Sequence, residues 1–192
     1  SSFIKNWMSN FKELSVNKFF LFKKQPKNII LLTQYYSLIL NLVKHKIIKA
    51  MKILLDRVDD AFHFEAKNED GNIVHIDGAP AIGGTGSGAR PMQLLIMGLG
   101  GCSAMDMILI LKKQKQVIDD LQIELDAERF EDRTPAPFKD IHVTFKFKGD
   151  LDVKKIKRAV ALSMDKYCSV TKILEETATI TYSSTVNGEP VV

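Results

Sequence analysis

The chain has 192 residues, two of them cysteines, with 45% hydrophobic residues and a formal net charge of +4. That is enough for one domain with a substantial core, and two cysteines exclude the disulfide framework of a small secreted protein, so a reducing, cytoplasmic setting is expected. The charge is lopsided: residues 1–50 hold nine lysines and one acid, Glu13, while the rest holds 18 bases and 22 acids, which argues against a nucleic-acid binder built on a basic face.

This asymmetry sets a boundary at Met51. Residues 1–50 contain no glycine or arginine, and Pro26 is their only proline. A secretory signal would need an uninterrupted apolar core and a small-residue cleavage site. The apolar run from Ile29 to Val43 is broken by Thr33, Gln34, Ser37 and Asn41, and is shorter than the ~20 residues of a membrane span. A basic amphipathic helix resting on an anionic membrane is the alternative reading. The expectation is that 1–50 is a non-native or dispensable extension and 51–192 the working domain.

Lys52–Val58 and Ala61–Ala66 are short and strand-like, separated by Asp59-Asp60. The Asp70-Gly71 turn leads to a third strand, Asn72–Asp77, for an antiparallel meander. A glycine-rich loop spans Gly78–Ala89, and Pro91 stands at a first helical position. From Met92 to Leu111 only Gln93, Ser103 and Asp106 are strongly polar. Such a helix is either buried or spans a membrane; Asp106 and the flanking strands favour an enclosed central helix. Strands follow over Gln122–Glu131 and Asp140–Lys148, the second with Ile141, Val143, Phe145 and Phe147 on one face. Asp150 or Asp152 caps a helix burying Val153, Ile156, Val160, Met164 and Tyr167 and ending near Cys168. A last strand, Ala178–Val186, precedes the Asn187-Gly188 turn. The order βββ-α-ββ-α-β indicates an α+β fold with largely antiparallel sheet.

The stretch Gly84-Thr85-Gly86-Ser87-Gly88-Ala89 fits a dinucleotide fingerprint literally. That fingerprint needs a strand running straight into the turn and an acid ending the next strand. Here the strand stops about six residues early, and Asp106 lies inside the helix. Glycines that let the loop fold tightly near the central helix are the better reading. His45, His63, His75, His142 and the cysteines show no metal-ligand spacing, so no metal and no cofactor is expected.

Cys102 follows Gly98-Leu99-Gly100-Gly101. Three glycines inside a helix cost about 2–3 kcal/mol relative to alanine, which implies close approach by another element or room for a substrate beside the thiol. The competing reading is a small buried hydrophobe. Cys168, 66 residues on, ends the second helix; two such thiols form either a redox pair or two core cysteines.

Arg90-Pro91-Met92-Gln93 with Leu94, then the small residues before Cys102, and finally Lys166-Tyr167-Cys168-Ser169-Val170, resemble the OsmC/Ohr family, the osmotically induced protein C and organic hydroperoxide resistance proteins. The similarity covers Met51 to Val186. It implies antiparallel sheets wrapped around a buried central helix, an intertwined homodimer with active sites at the interface, and thiol-dependent reduction of organic hydroperoxides recycled by a cellular dithiol. By position Cys102 matches the peroxide-attacking cysteine and Cys168 the resolving one. Attack requires a thiolate, and free cysteine with a pKa of about 8.5 is only a few per cent ionised at roughly pH 7. The family holds an arginine with a glutamate. Here Met92 aligns with that glutamate and Gln93 follows, so Arg90 is the candidate cation, with Arg57 and Arg129 as weaker ones. Gln93 can orient a guanidinium but not balance its charge. Asp106, one helical turn past Cys102, opposes a thiolate unless it pairs with Arg90; a plain core or interface hydrogen bond is the alternative. The missing glutamate also motivates a second reading, an OsmC-like stress or binding protein with little peroxidase activity.

Overall fold

The computed structural model describes residues 50–191. The extension's amphipathic-helix reading therefore lies outside the described residues. Three strands come first: β1 (Ile53–Arg57), β2 (Phe64–Asn68) and β3 (Ile73–Ile76). They form an antiparallel meander with Leu55 opposite Ala66 and Ala66 opposite Val74. In the β2–β3 loop Asn68 Oδ1 accepts from the backbone N–H groups of Asp70 and Asn72, and Gly71 takes φ +83°.

Helix α1 (Pro91–Lys113) begins at the expected proline and runs the full expected length. It is followed by β4 (Asp120–Arg129) and β5 (Phe138–Lys148). The alternation read in β5 is realised: Ile141, Val143, Phe145 and Phe147 are all buried and form the centre of the core with Leu99, Met107 and Leu111 of α1. β5 pairs antiparallel with β4 on one side. On the other it pairs parallel with β6 (Thr179–Val186), placing Ile141 opposite Ile180. A parallel neighbour demands a long crossover, and the helices between β5 and β6 supply it. A short β7 (Glu189–Pro190) closes the four-stranded sheet after the expected turn, where Asn187 and Gly188 take φ +52° and +90°.

The crossover departs from the expected single helix. Asp152 caps α2 (Val153–Leu162) by accepting from the N–H groups of Lys154 and Lys155. Ile156, Ala159 and Val160 turn inward as expected, but Val153 and Tyr167 are half exposed. The cause at Tyr167 is a wider, π-helical turn over Ser163–Tyr167, which changes the phase of the chain after α2. The helix does not end the crossover at Cys168 either: a further short helix, α3 (Ser169–Leu174), follows.

Enclosure of α1 is one-sided in the single chain. Leu99, Gly100, Ser103, Met107 and Leu111 are buried, and Ser103 satisfies its hydroxyl by donating to Leu99 O at 2.9 Å. The opposite face, with Leu95, Met97, Met105, Ile108 and Leu109, is exposed. This helix is long and apolar enough to cross a membrane, yet its buried face packs on the sheet of a mixed α+β domain.

Candidate active site

The loop before α1 is organised by one carboxylate that sequence reasoning passed over. Asp77, buried at the end of β3, accepts hydrogen bonds from the N–H groups of Gly78, Thr85 and Ser87 and from the Thr85 hydroxyl. Burial alone would raise its pKa, but these donors outweigh that and hold it down at about 2. The glycines serve the same wrapping: a Cβ on Gly84 would sit 2.1 Å from the Gly78 carbonyl oxygen, and one on Gly88 2.5 Å from the His75 backbone. The amides a dinucleotide phosphate would need are thus occupied by a carboxylate, in keeping with the rejected fingerprint. An acid flanking a glycine-rich stretch is the only signal the sequence carried for this.

The wrapped loop delivers Arg90 to the N-cap of α1, where its backbone N–H donates to the Gln93 side-chain oxygen at 2.9 Å. Arg90, Met92, Gln93 and Ile96 line one wall of an open cavity of about 870 Å³, with Phe62, Leu125, Arg129 and Phe138 among the residues around it.

Further along the same helix lies a separate cluster. Cys102 Sγ, Cys168 Sγ and a carboxylate oxygen of Asp106 all lie within 4.8 Å of one another. Cys102 and Asp106 are four residues apart, so α1 presents them on one face. Cys168 arrives from the crossover: the π-helical turn ends there in extended backbone, and the Cys168 N–H donates to Ser163 O at 2.9 Å. Both thiols are free, Cys102 part-exposed and Cys168 fully buried. Burial pushes the Cys168 thiol up; the Thr171 side chain and N–H oppose that, the latter donating to the sulfur at 3.4 Å, while the neighbouring Cys102 adds to the rise. Asp106 accepts from the Ser163 hydroxyl at 3.4 Å and makes no ion pair among the described residues.

The structure therefore joins three of the five expected site residues and keeps the other two apart. Twelve residues of helix separate Arg90 from Cys102, about 18 Å along the axis at 1.5 Å per residue, and Asp106 is further still. An Arg90–Asp106 pair does not form within the chain. Arg57 and Arg129 are engaged elsewhere, Arg57 on the carbonyls of Asp60 and Ala61 and Arg129 on that of Ala136. Of the three helical glycines, Gly100 alone answers to close packing, with Leu125 Cδ1 2.9 Å from where its Cβ would stand; Gly98 and Gly101 face open space.

Residues 84–183, the segment from the glycine loop through both cysteines into β6, match the family model described as OsmC-like protein. The chain belongs to the OsmC-like family. Protein YhfA of Escherichia coli (strain K12) is 43% identical to it over 94 residues, 48% of this chain and 69% of YhfA. Among solved structures, a hypothetical protein from Aquifex aeolicus VF5 is 27% identical with a TM-score of 0.61, covering 73% of this chain and 99% of its own. An organic hydroperoxide resistance protein OsmC from Legionella pneumophila is 16% identical with a TM-score of 0.57, covering 73% and 100%; at that identity the likeness speaks for the fold.

Proposed function

We propose that this OsmC-like protein is a two-cysteine peroxidase that reduces organic hydroperoxides in oxidative stress defence. The observation that carries the reading is the approach of Cys102 and Cys168, 66 positions apart in sequence, to within 4.8 Å of each other. Exposure supports this division of roles. The part-exposed Cys102 can meet a substrate, whereas Cys168, buried and with its thiol pushed up, is suited to act second.

In this scheme the Cys102 thiolate attacks the terminal oxygen of the hydroperoxide and the O–O bond breaks. The alcohol leaves after taking a proton, and Cys102 becomes a sulfenic acid. The Cys168 sulfur then displaces hydroxide, which leaves as water, and a Cys102–Cys168 disulfide forms. A cellular dithiol returns both thiols by exchange. No cofactor enters.

The reading includes a homodimer. The exposed apolar face of α1, with Gly98 and Gly101 opening onto empty space at its middle, is suited to a second copy. A guanidinium for the Cys102 thiolate would then come across that interface, since Arg90 cannot reach its own cysteine. We assign the activity to residues 51–192 in the cytoplasm.

One observation favours a second reading, a stress or binding protein with weak peroxidase activity: the Asp106 carboxylate lies beside both sulfurs of the cysteine cluster, where it opposes a thiolate. Peroxide consumption decides between them. With one equivalent of cumene hydroperoxide the parent is expected to lose both free thiols, and Cys102→Ser to slow by about a thousandfold or more. Equal rates for parent and Cys102→Ser would overturn the peroxidase.

A further inference from the structure

We infer that Cys102, Asp106 and Cys168 also form a binding site for a borderline-soft divalent cation, of which zinc fits the donor set best. The inference rests on donor geometry and holds whether or not the protein turns over peroxide. Spacing along the chain offers no ligand pattern; the fold creates it by setting an i, i+4 pair on α1 against a thiol at the end of the crossover.

The dimensions suit the ion. Zinc takes sulfur at about 2.3 Å and carboxylate oxygen at about 2.0–2.2 Å, so tetrahedral donors stand roughly 3.5–3.8 Å apart. Three donors already within 4.8 Å of one another need to draw in by no more than about 1.0–1.3 Å. The part-exposed Cys102 leaves the fourth position open to water. Two sulfurs exclude magnesium and calcium, which require oxygen ligands.

The surroundings are also those of a ligand set. The Ser163 hydroxyl holds Asp106 Oδ2, and the Thr171 N–H holds the Cys168 sulfur, the outer hydrogen bonds that orient metal ligands. Binding replaces the protons of both thiols with one cation and releases them to solvent. Two thiolates and a carboxylate then face +2, leaving one negative charge beside water. An occupied site has no free sulfur, so metal loading and the Cys102–Cys168 disulfide exclude each other.

The test uses the full chain, reduced and anaerobic, titrated with Zn²⁺ by calorimetry and with Co²⁺ by absorption. One ion per chain is expected, with a sulfur-to-cobalt charge-transfer band. Cys102→Ser should weaken binding by about a hundredfold or more and Asp106→Asn by about tenfold or more, at or beyond the loss from removing an outer partner. Mg²⁺ should not compete, and the oxidised disulfide form should not bind. Far-ultraviolet circular dichroism checks that each variant is folded. Absence of binding, a missing charge-transfer band, or equal affinity in Cys102→Ser would overturn the site; unchanged affinity in Asp106→Asn would overturn the carboxylate's place in it. Peroxide turnover is measured separately on metal-free protein, so either conclusion can fail alone.

Discussion

The two sheets of this domain are built to different standards of closure. In the four-stranded sheet every inward residue of β5 from Phe138 to Phe147 is buried, and α1 and α2 complete the core over it. In the three-stranded meander no residue of any strand is fully buried, and Ile53, Leu54, Leu55, Ile73 and Val74 are about half exposed. A two-sided apolar meander gains little from its own chain. The contrast teaches that one half carries its own stability and holds the cysteines, while the other half, like the open face of α1, keeps apolar surface exposed among the described residues.

The largest expected effect tests the closed half. Phe145→Ala removes a ring from the centre of the core and should cost about 3–5 kcal/mol in urea unfolding. If nothing covers the meander, Leu54→Ala should fall within about 0.5 kcal/mol of the parent. A larger, concentration-dependent loss for Leu54→Ala would place a second copy over β1. Next, Met105→Glu puts a charge on the open face of α1. It is expected to halve the mass seen by light scattering while the circular dichroism stays that of the parent; an unchanged dimer would move the interface elsewhere.

A smaller effect separates the loop from both sheets. Asp77 titrates at about 2 in the folded protein, below its ordinary 3.8. Its stabilisation is complete above the ordinary value and is lost as pH falls from about 4 through 2. Acid unfolding followed at several pH values should show this loss in the parent and not in Asp77→Asn. The smallest effect concerns the extension: a chain starting at Met51 should consume peroxide at the parent's rate, and a clear loss would make residues 1–50 part of the working unit.

Much of this architecture was legible because it rests on periodicity. Strict alternation exposed β5, an unbroken apolar run with an initial proline exposed α1, an aspartate at 150 or 152 marked a cap that falls at Asp152, and Asn187-Gly188 marked a turn. What escaped depends on events at a distance. Strand periodicity says nothing of a neighbour's direction, so the parallel β5–β6 pairing was invisible in Thr179–Val186. The π-helical turn and the six-residue α3 are too short to impose a period of their own, and so the inward phase of Tyr167 was misjudged. Asp77 reads locally as the last residue of a strand; its partners eight and ten positions on appear only once the loop is closed.

The site was legible unevenly for the same reason. Resemblance paired Cys102 with Cys168, and the structure brings their sulfurs together. Arg90 was placed beside Cys102 because both belong to one recognisable stretch, but nearness in a motif becomes distance on a helix. The sequence allows Asp106 either an ion pair or an ordinary hydrogen bond, and within the chain it makes the hydrogen bond, to Ser163.

One feature of α1 dictates where motion must occur. The backbones of Cys102 and Asp106 are fixed on the same rod, and the proposed disulfide of about 2.05 Å needs the sulfurs to converge from their present separation. Side-chain rotation at Cys102 can cover part of that gap. In the proposed reaction the remaining travel would fall to Cys168, at the end of the crossover, which follows directly on the wider π-helical turn Ser163–Tyr167. If the proposed disulfide forms, the irregular turn stands next to the sulfur that would have to move, and the regular helices on either side could stay as they are.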